Sequence, residues 1–213
     1  MGSIHTEEYK GCTISIVPDN SAECPLTSMD PPEGMLFFTN TRLDRDHYWL
    51  EGDGVDADAY LQGKNRSKID LTHYVLPIYK FDHSGVAYQT TSFNDTWDSG
   101  LVGMISIPKS VASKEWAENT EERALNYMRG VVKDFSSWAN GDVYGYVVND
   151  GEVDEVDSCW GFIGDYDGYI LETARAAVDH YVEHADSEVW ALKEWRRQVA
   201  AGLTLLGFSE WHE

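Results

Sequence analysis

One stretch, residues 141–162 (GDVYGYVVNDGEVDEVDSCWGF), constrains the fold more than any other part of the chain. Residues 143–148 are rich in β-branched and aromatic side chains, which favour a strand. Residues 149–151 supply an Asn-Asp-Gly turn signal, and residues 153–162 would form the returning strand. The stretch therefore predicts a β-hairpin. On its second strand the two-residue period places four side chains on one face, which we expect to face the core: Val156, Ser158, Trp160 and Phe162.

Two further features of this hairpin are its glycines and its charge. Gly145 and Gly161 would weaken ordinary strands, so they predict a bulge or a close approach of neighbouring backbone. Between Lys133 and Arg175 the sequence has no Lys or Arg, although ten acidic residues fall in that window. We therefore expect a ribbon that is apolar underneath and acidic at its tip. Cys159, within the second strand, is expected to be a small packed residue.

The rest of the chain alternates strand and helix signals. Strand patterns occur at residues 12–17 and 35–39, and residues 73–108 contain three β-rich runs separated by short turns, which favours an antiparallel meander with Pro77 at an edge or a bulge. Asn119 precedes a strongly periodic helix that stops at Gly141. Two more helices follow the hairpin, over residues 169–183 and from residue 187 to about residue 207.

These patterns predict an α+β fold. Its mainly antiparallel sheet, a meander plus the hairpin, would be packed by one central helix and two C-terminal helices. We expect a single domain over residues 1–213. Within it, residues 1–70 would form an N-terminal lobe, residues 73–164 the core, and residues 167–207 the C-terminal helices.

Composition limits the classes of function. The formal net charge is −21, from 37 acidic and 16 basic residues, and such a surface repels nucleic-acid phosphates and anionic membranes. Direct binding of nucleic acid or membranes is therefore not expected. No signal peptide or membrane-spanning stretch is recognisable, so we expect a cytoplasmic location in a host cell. Three cysteines without a CxxC pair indicate neither a disulfide framework nor a thiolate zinc site.

One local motif is compatible with zinc chemistry. His180, Glu183 and His184 follow the H-x-x-E-H order of inverted zinc metallopeptidases, in which two imidazoles one helical turn apart bind Zn²⁺ and the Glu polarises a bound water. Few residues follow the motif to supply a third ligand. A metal-dependent hydrolase therefore stays an alternative, beside a solvated helix face, and we expect no cofactor.

Other candidate sites are weaker. His83, Ser84 and Ser99 lie near Asp95 and Asp98, but neither serine is in a G-x-S-x-G elbow, and turn chemistry explains the segment; Trp97 would anchor this loop on the sheet. Two aspartate groups could attract calcium but lack the twelve-residue loop pattern; they are Asp53, Asp56 and Asp58, and Asp165 with Asp167. Phosphate-binding glycine motifs are missing from the sequence.

The carboxylates are the remaining signal. Asp and Glu spaced along a ribbon can imitate the phosphates of a nucleic acid and fill a basic groove. Two simpler explanations compete, namely acidity for solubility and adaptation to a salt-rich cytoplasm, and the second predicts equal enrichment on all faces. The ribbon hypothesis names seven contact residues: Asp150, Glu152, Asp154, Glu155, Asp157, Asp165 and Asp167.

Two segments, LPIYKFDHSGVAYQTTSFNDTWDSGLVGMISIPK and GDVYGYVVNDGEVDEVDSCWGFIG, carry a family resemblance over residues 76–164. Their HSG, WDSG-x-VG, GDVYGY and DSCWGF parts resemble, in the same order, a family of small acidic proteins of phages and other mobile elements. The resemblance implies no reaction and no catalytic residue. It implies a phage-type anti-defence protein, of anti-CRISPR or antirestriction type, whose partner is a host defence protein or ribonucleoprotein complex with a basic nucleic-acid groove. A phage structural or interaction module is the other alternative.

Overall fold

In a computed structural model the chain forms two compact units, Met1–Ala22 with Asp142–Glu213 (unit 1) and Glu23–Gly141 (unit 2). Each unit contains an antiparallel sheet and helices, so the predicted α+β class with mainly antiparallel pairing is confirmed. The structure describes residues 2–40, 49–50, 55–95, 97–151, 155–164, 166, 168–184, 187–207 and 209–210. Within these residues no helix has the length and apolar character needed to cross a membrane.

Unit 1 is built on a four-stranded sheet in the order β1-β2-β8-β9, with every neighbouring pair antiparallel. Two helices follow the sheet in sequence. The elements are β1 (His5–Tyr9), β2 (Cys12–Pro18), β8 (Val143–Asn149), β9 (Glu155–Ile163), α6 (Tyr169–His184) and α7 (Ser187–Ala200). The predicted hairpin is therefore present as β8 and β9.

The core of unit 1 lies between this sheet and α6. In β2 every second side chain is fully buried, from Cys12 through Ile14 to Ile16, as expected for a strand with one face on a core. The buried face of α6 has the helical spacing of Ile170, Ala174 and Val178. Because β2 pairs with β8, the first residues of the chain belong with the hairpin, a grouping that the predicted segments did not contain.

Unit 2 is built on a five-stranded antiparallel sheet in the order β4-β3-β7-β5-β6. Its strands are β3 (Leu36–Thr39), β4 (Trp49–Leu50), β5 (His73–Asp82), β6 (Val86–Gln89) and β7 (Ser99–Pro108). Its helices are α1 (Pro25–Ser28), α2 (Ala57–Leu61), α3 (Arg66–Thr72), α4 (Lys109–Glu115) and α5 (Thr120–Asn140).

The three predicted runs of the meander are β5, β6 and β7, but β5 lies between the other two. The third run thus pairs with the first, which differs from a simple meander. Strand β6 has four residues whereas β5 and β7 have ten each, so pairing β7 with β5 forms the longer ladder. Pro77 lies beyond the part of β5 that pairs with β6 and next to a register shift at Ile78, as predicted for a residue without an N–H.

Helix α5 packs against this sheet and forms the larger core. Ala124, Met128, Val132 and Phe135 are buried, and the Phe135 ring contacts the ring of Phe37 at a centroid distance of 4.8 Å. The helix begins after Asn119 and ends at Gly141, whose φ of 83° is the left-handed conformation of a helix stop. Both boundaries agree with the prediction, although the Asn119 side chain makes no capping hydrogen bond.

Candidate acidic interaction surface

The negative charge is concentrated in unit 1. This unit has 94 residues with 19 acids and five bases, a formal charge of −14, whereas unit 2 has 119 residues with 18 acids and 11 bases, a formal charge of −7. Adaptation to a salt-rich cytoplasm would distribute the net negative charge evenly over the chain. The net charge is uneven, mainly because unit 1 has five bases and unit 2 has 11, and this differs from the even enrichment that salt adaptation predicts.

The bases of unit 1 are largely committed to carboxylates of the same unit. Arg175 donates two hydrogen bonds to Glu7, from Nε to Oε1 at 2.8 Å and from Nη2 to Oε2 at 2.7 Å. Lys10 Nζ lies 2.7 Å from Asp179 Oδ1, and Arg197 makes a paired contact of 2.9 Å with Glu194. These three cations are neutralised locally, so they do not offset the surplus of acids in the hairpin.

Two bulges shape the hairpin. Tyr144 pairs with Phe162 and Tyr146 with Cys159, so β9 carries one extra residue there, and a second register shift follows Val148. Gly161 has a φ of 84°, and a Cβ on Gly145 would lie 2.4 Å from the Trp160 ring. Both glycine predictions, a bulge and a close approach, are thus confirmed.

The bulges also overturn one prediction. The four side chains expected on one core-facing side are divided, because each extra residue reverses the alternation of the strand. Val156 and Phe162 pack against the core of unit 1, whereas Trp160 is 48 % exposed and lies on Gly145. Cys159, expected to be packed, is exposed for the same reason.

Asp157 is held in place by a tyrosine from the neighbouring strand. The hydroxyl of Tyr146 donates a hydrogen bond of 2.8 Å to Asp157 Oδ2, and the Tyr146 side chain is buried. Burial, reinforced by this bond and the negative charge of Asp157, raises the pKa of Tyr146 well above its ordinary value. The tyrosine therefore stays a donor at neutral pH, and it fixes a partly exposed carboxylate on β9.

The other predicted contact residues differ in their settings. Asp150 is only 8 % exposed, and its Oδ2 accepts a hydrogen bond of 3.0 Å from the Tyr181 hydroxyl. We therefore do not count Asp150 among the exposed contact residues. Glu155 is exposed and accepts a bond of 2.5 Å from the Ser158 hydroxyl. The remaining four lie outside the described residues: Glu152, Asp154, Asp165 and Asp167.

Exposed apolar side chains accompany these carboxylates. Trp160 and Ile163 on β9 are partly exposed, and Tyr169 at the start of α6 is 74 % exposed. Aromatic anchors beside charged groups are typical of protein interfaces. Sequence reasoning placed Trp160 in the core; the adjacent Gly161 was the signal that could have identified the bulge and therefore the exposure.

The H-x-x-E-H motif occupies the last turn of α6. The rings of His180 and His184 are stacked with centroids 4.1 Å apart, and His184 Nδ1 lies 2.8 Å from the carbonyl oxygen of His180. Glu183 is exposed beside them. Among the described residues no group of three or more His, Cys, Asp or Glu side chains is arranged for a metal ion. The third ligand that a hydrolase of this type needs is therefore not found in that part of the chain.

The loop with His83 is held by internal contacts. His83 Nδ1 lies 3.1 Å from Asp98 Oδ2, and Asp95 accepts backbone hydrogen bonds that lower its pKa. The Ser99 hydroxyl donates to the Asp95 carbonyl, so it is engaged in turn geometry rather than positioned by an imidazole. Trp97 is 95 % exposed, which contradicts its predicted role as an anchor on the sheet.

The aspartates considered for calcium have local structural roles. Asp56 caps α2 by accepting a hydrogen bond of 3.0 Å from the N–H of Ala59, and Asp58 accepts one from the Asn40 amide. Asp53 lies outside the described residues.

Comparisons with models of protein families, with curated proteins and with solved structures found no match to this chain.

Proposed function

We propose that this protein is a phage-type anti-defence protein that binds a nucleic-acid-handling host complex and inhibits it by steric and electrostatic occlusion. The target would be a CRISPR effector or a restriction enzyme. The observation that carries the proposal is the charge of −14 on unit 1, twice that of unit 2 although unit 1 is shorter. The phage association rests on the segment resemblance over residues 76–164.

The acidic surface is defined by Glu155 and Asp157, which Glu152 and Asp154 precede in the sequence. Its carboxylates would take the place of phosphates in a Lys/Arg-lined groove, and the counterions of that groove would be released as they are by nucleic acid. Asp157 is preorganised by Tyr146, which reduces the conformational entropy lost on binding. Trp160, half exposed on the same strand, would add a buried apolar contact of the kind that dominates interface energies.

The proposed mechanism requires no turnover. A carboxylate ribbon competes with the nucleic acid for one groove, so the inhibitor and the nucleic acid bind the target in a mutually exclusive way. Electrostatic steering speeds the encounter at low ionic strength, and screening weakens it as salt rises.

The test is affinity capture of a purified CRISPR effector or restriction enzyme, and of complexes from a defence-competent lysate, at about 0.1 M and about 0.5 M salt. The variant replaces Glu152, Asp154 and Glu155 by Lys. A matched variant makes the same charge change at three exposed acids of unit 2: Glu23, Asp30 and Glu33.

We expect salt-sensitive capture that is lost in the hairpin variant, retained in the unit 2 variant, and competed by duplex DNA or guide RNA. Inhibition of cleavage should follow the same order. Equal loss of capture in both variants would show that net charge alone explains binding. Full inhibition by the hairpin variant would refute the proposed surface. Circular dichroism of each variant separates loss of binding from loss of fold.

A further inference from the structure

The stacked histidines at the end of α6 are not part of the proposed function, and the hydrogen bond of one of them fixes which ring nitrogen is free to bind a ligand. His184 Nδ1 lies 2.8 Å from the carbonyl oxygen of His180, and a carbonyl oxygen can only accept. Nδ1 of His184 therefore carries a hydrogen, and in the neutral form of the ring the lone pair is on Nε2. A hydrogen bond that fixes the tautomer in this way is the usual arrangement behind a metal-ligating imidazole.

The second ring is already beside the first. The ring centroids lie 4.1 Å apart with an interplanar angle of 24°, and both side chains are exposed at the surface of α6. Histidines four residues apart on a helix can bind one ion through both imidazoles at about 2.0 Å, after side-chain rotation that turns the two nitrogens toward each other. Exposure leaves room for this rotation and for water in the remaining coordination positions.

The electrostatic setting favours a cation at this position. The pair occupies the last turn of a 16-residue helix, where the carbonyl groups give a partial negative charge. Unit 1 has a formal charge of −14, and two of its cations, Lys10 and Arg175, are held by Asp179 and Glu7. Imidazole ligands select Zn²⁺, Ni²⁺ or Cu²⁺ over the hard ions Mg²⁺ and Ca²⁺, which prefer oxygen.

We propose that His180 and His184 form a two-histidine binding site for a divalent transition-metal ion, with Zn²⁺ as the representative. The site binds the ion through the two imidazoles and completes its coordination shell with water. It is independent of the acidic hairpin surface, and its test does not depend on the anti-defence proposal. With two protein ligands it is an open site, to which a further ligand from another molecule can be added.

The experiment is calorimetric titration of the full chain with Zn²⁺ alone, and in parallel with Mg²⁺. We expect one Zn²⁺ site that is weakened at least tenfold by His180→Ala and by His184→Ala separately. His83→Ala is the matched control, because His83 is also an exposed histidine beside a carboxylate, and it should leave Zn²⁺ affinity unchanged. Both histidines of the pair are exposed, so circular dichroism should show an unchanged fold in each variant.

Four outcomes would overturn the proposal. Zn²⁺ binding that survives both histidine substitutions would assign the ion to the carboxylates, as would Mg²⁺ binding of equal strength. Loss of Zn²⁺ binding in His83→Ala alone would place the site in the other unit. Failure to bind Zn²⁺ at all would show that the stacked pair is only a feature of the helix surface.

Discussion

The indole of Trp160 lies directly against Gly145 on the neighbouring strand: a Cβ added to Gly145 would be 2.4 Å from Cε3 and 2.7 Å from Cδ2 of the ring. The glycine thus provides the space in which the tryptophan lies across the outer side of the sheet. This contact links the bulge in β9 to the exposure of an aromatic side chain.

Substitution Gly145→Ala should destabilise unit 1 by about 1–3 kcal/mol, because the methyl group displaces either the indole or the strand. Urea unfolding followed by tryptophan fluorescence measures the loss. Gly130→Ala is the control: Gly130 is exposed in α5 with no atom within 4 Å of an added Cβ, and this change should stabilise by about 0.5–1 kcal/mol. If Gly145→Ala costs as much in a Trp160→Ala background, the ring contact is not the cause.

Trp160→Ala should weaken binding to the captured target about tenfold or more, since a half-exposed tryptophan beside carboxylates is a candidate hot spot. The measurement is equilibrium binding by surface plasmon resonance or fluorescence anisotropy. Trp97→Ala is the matched control, because Trp97 is 95 % exposed in unit 2. Equal effects of the two substitutions would argue against a binding role that is specific to β9.

Tyr146→Phe should cost about 1 kcal/mol, because it removes the hydrogen bond to Asp157 while leaving the ring in the core. The raised pKa of Tyr146 gives the sign of the alkaline effect. The native state holds this proton more tightly than the unfolded chain, so the contribution is complete below about pH 10 and is lost as pH rises through the raised value.

Chemical unfolding of the wild type and of Tyr146→Phe at neutral and alkaline pH tests this expectation. The stability difference between the two proteins should shrink in alkaline solution. Tyr169→Phe, at an exposed tyrosine, should leave stability unchanged at both pH values. A difference that grows with pH would contradict the assignment of Tyr146 as the proton donor.

Glu7→Gln should reduce stability at neutral pH but not in acid. The hydrogen bonds and charge of Arg175 lower the pKa of Glu7 below its ordinary value of 4.5, so the native state favours the ionised form. This contribution is present above pH 4.5 and is lost as pH falls through the lowered pKa. Thermal unfolding from pH 7 down to pH 3 should show the two proteins converging, and Glu33→Gln, at an exposed position of unit 2, controls for loss of one charge. A pH-independent difference would contradict the linkage.

Local signals in the sequence predicted the elements well. The ends of α5 are marked by Asn119 and Gly141, and the turn at residues 149–151 marks the end of β8, because caps and turns depend on a few adjacent residues. Pairing between distant segments was not predictable in this way. Nothing in residues 12–18 indicates that this strand pairs with β8 rather than with a nearer strand.

The candidate surface was predictable only in part. The acidic hairpin follows directly from composition, but the burial of Asp150 depends on Tyr181, which lies on a helix 31 residues later. The exposure of Trp160 depends on where the extra residue of the bulge is inserted, and the alternation rule assumes an uninterrupted ladder. Gly145 and Gly161 predicted where the bulge lies, but they did not predict which side chains the bulge would turn outward.

The pairing of β2 with β8 has a consequence for how the chain is made. Pro18 pairs with Tyr144, and all of unit 2 lies between these two strands in sequence. During synthesis β1 and β2 leave the ribosome before β8 does, yet their sheet can be completed only after residues 23–141 have emerged. Unit 2 is continuous in sequence, so its core can form before β8 is synthesised. Unit 1 is discontinuous, so its sheet cannot form until β8 has been synthesised. The surface proposed to bind the target can therefore form only after residues 23–141 and the hairpin have been synthesised.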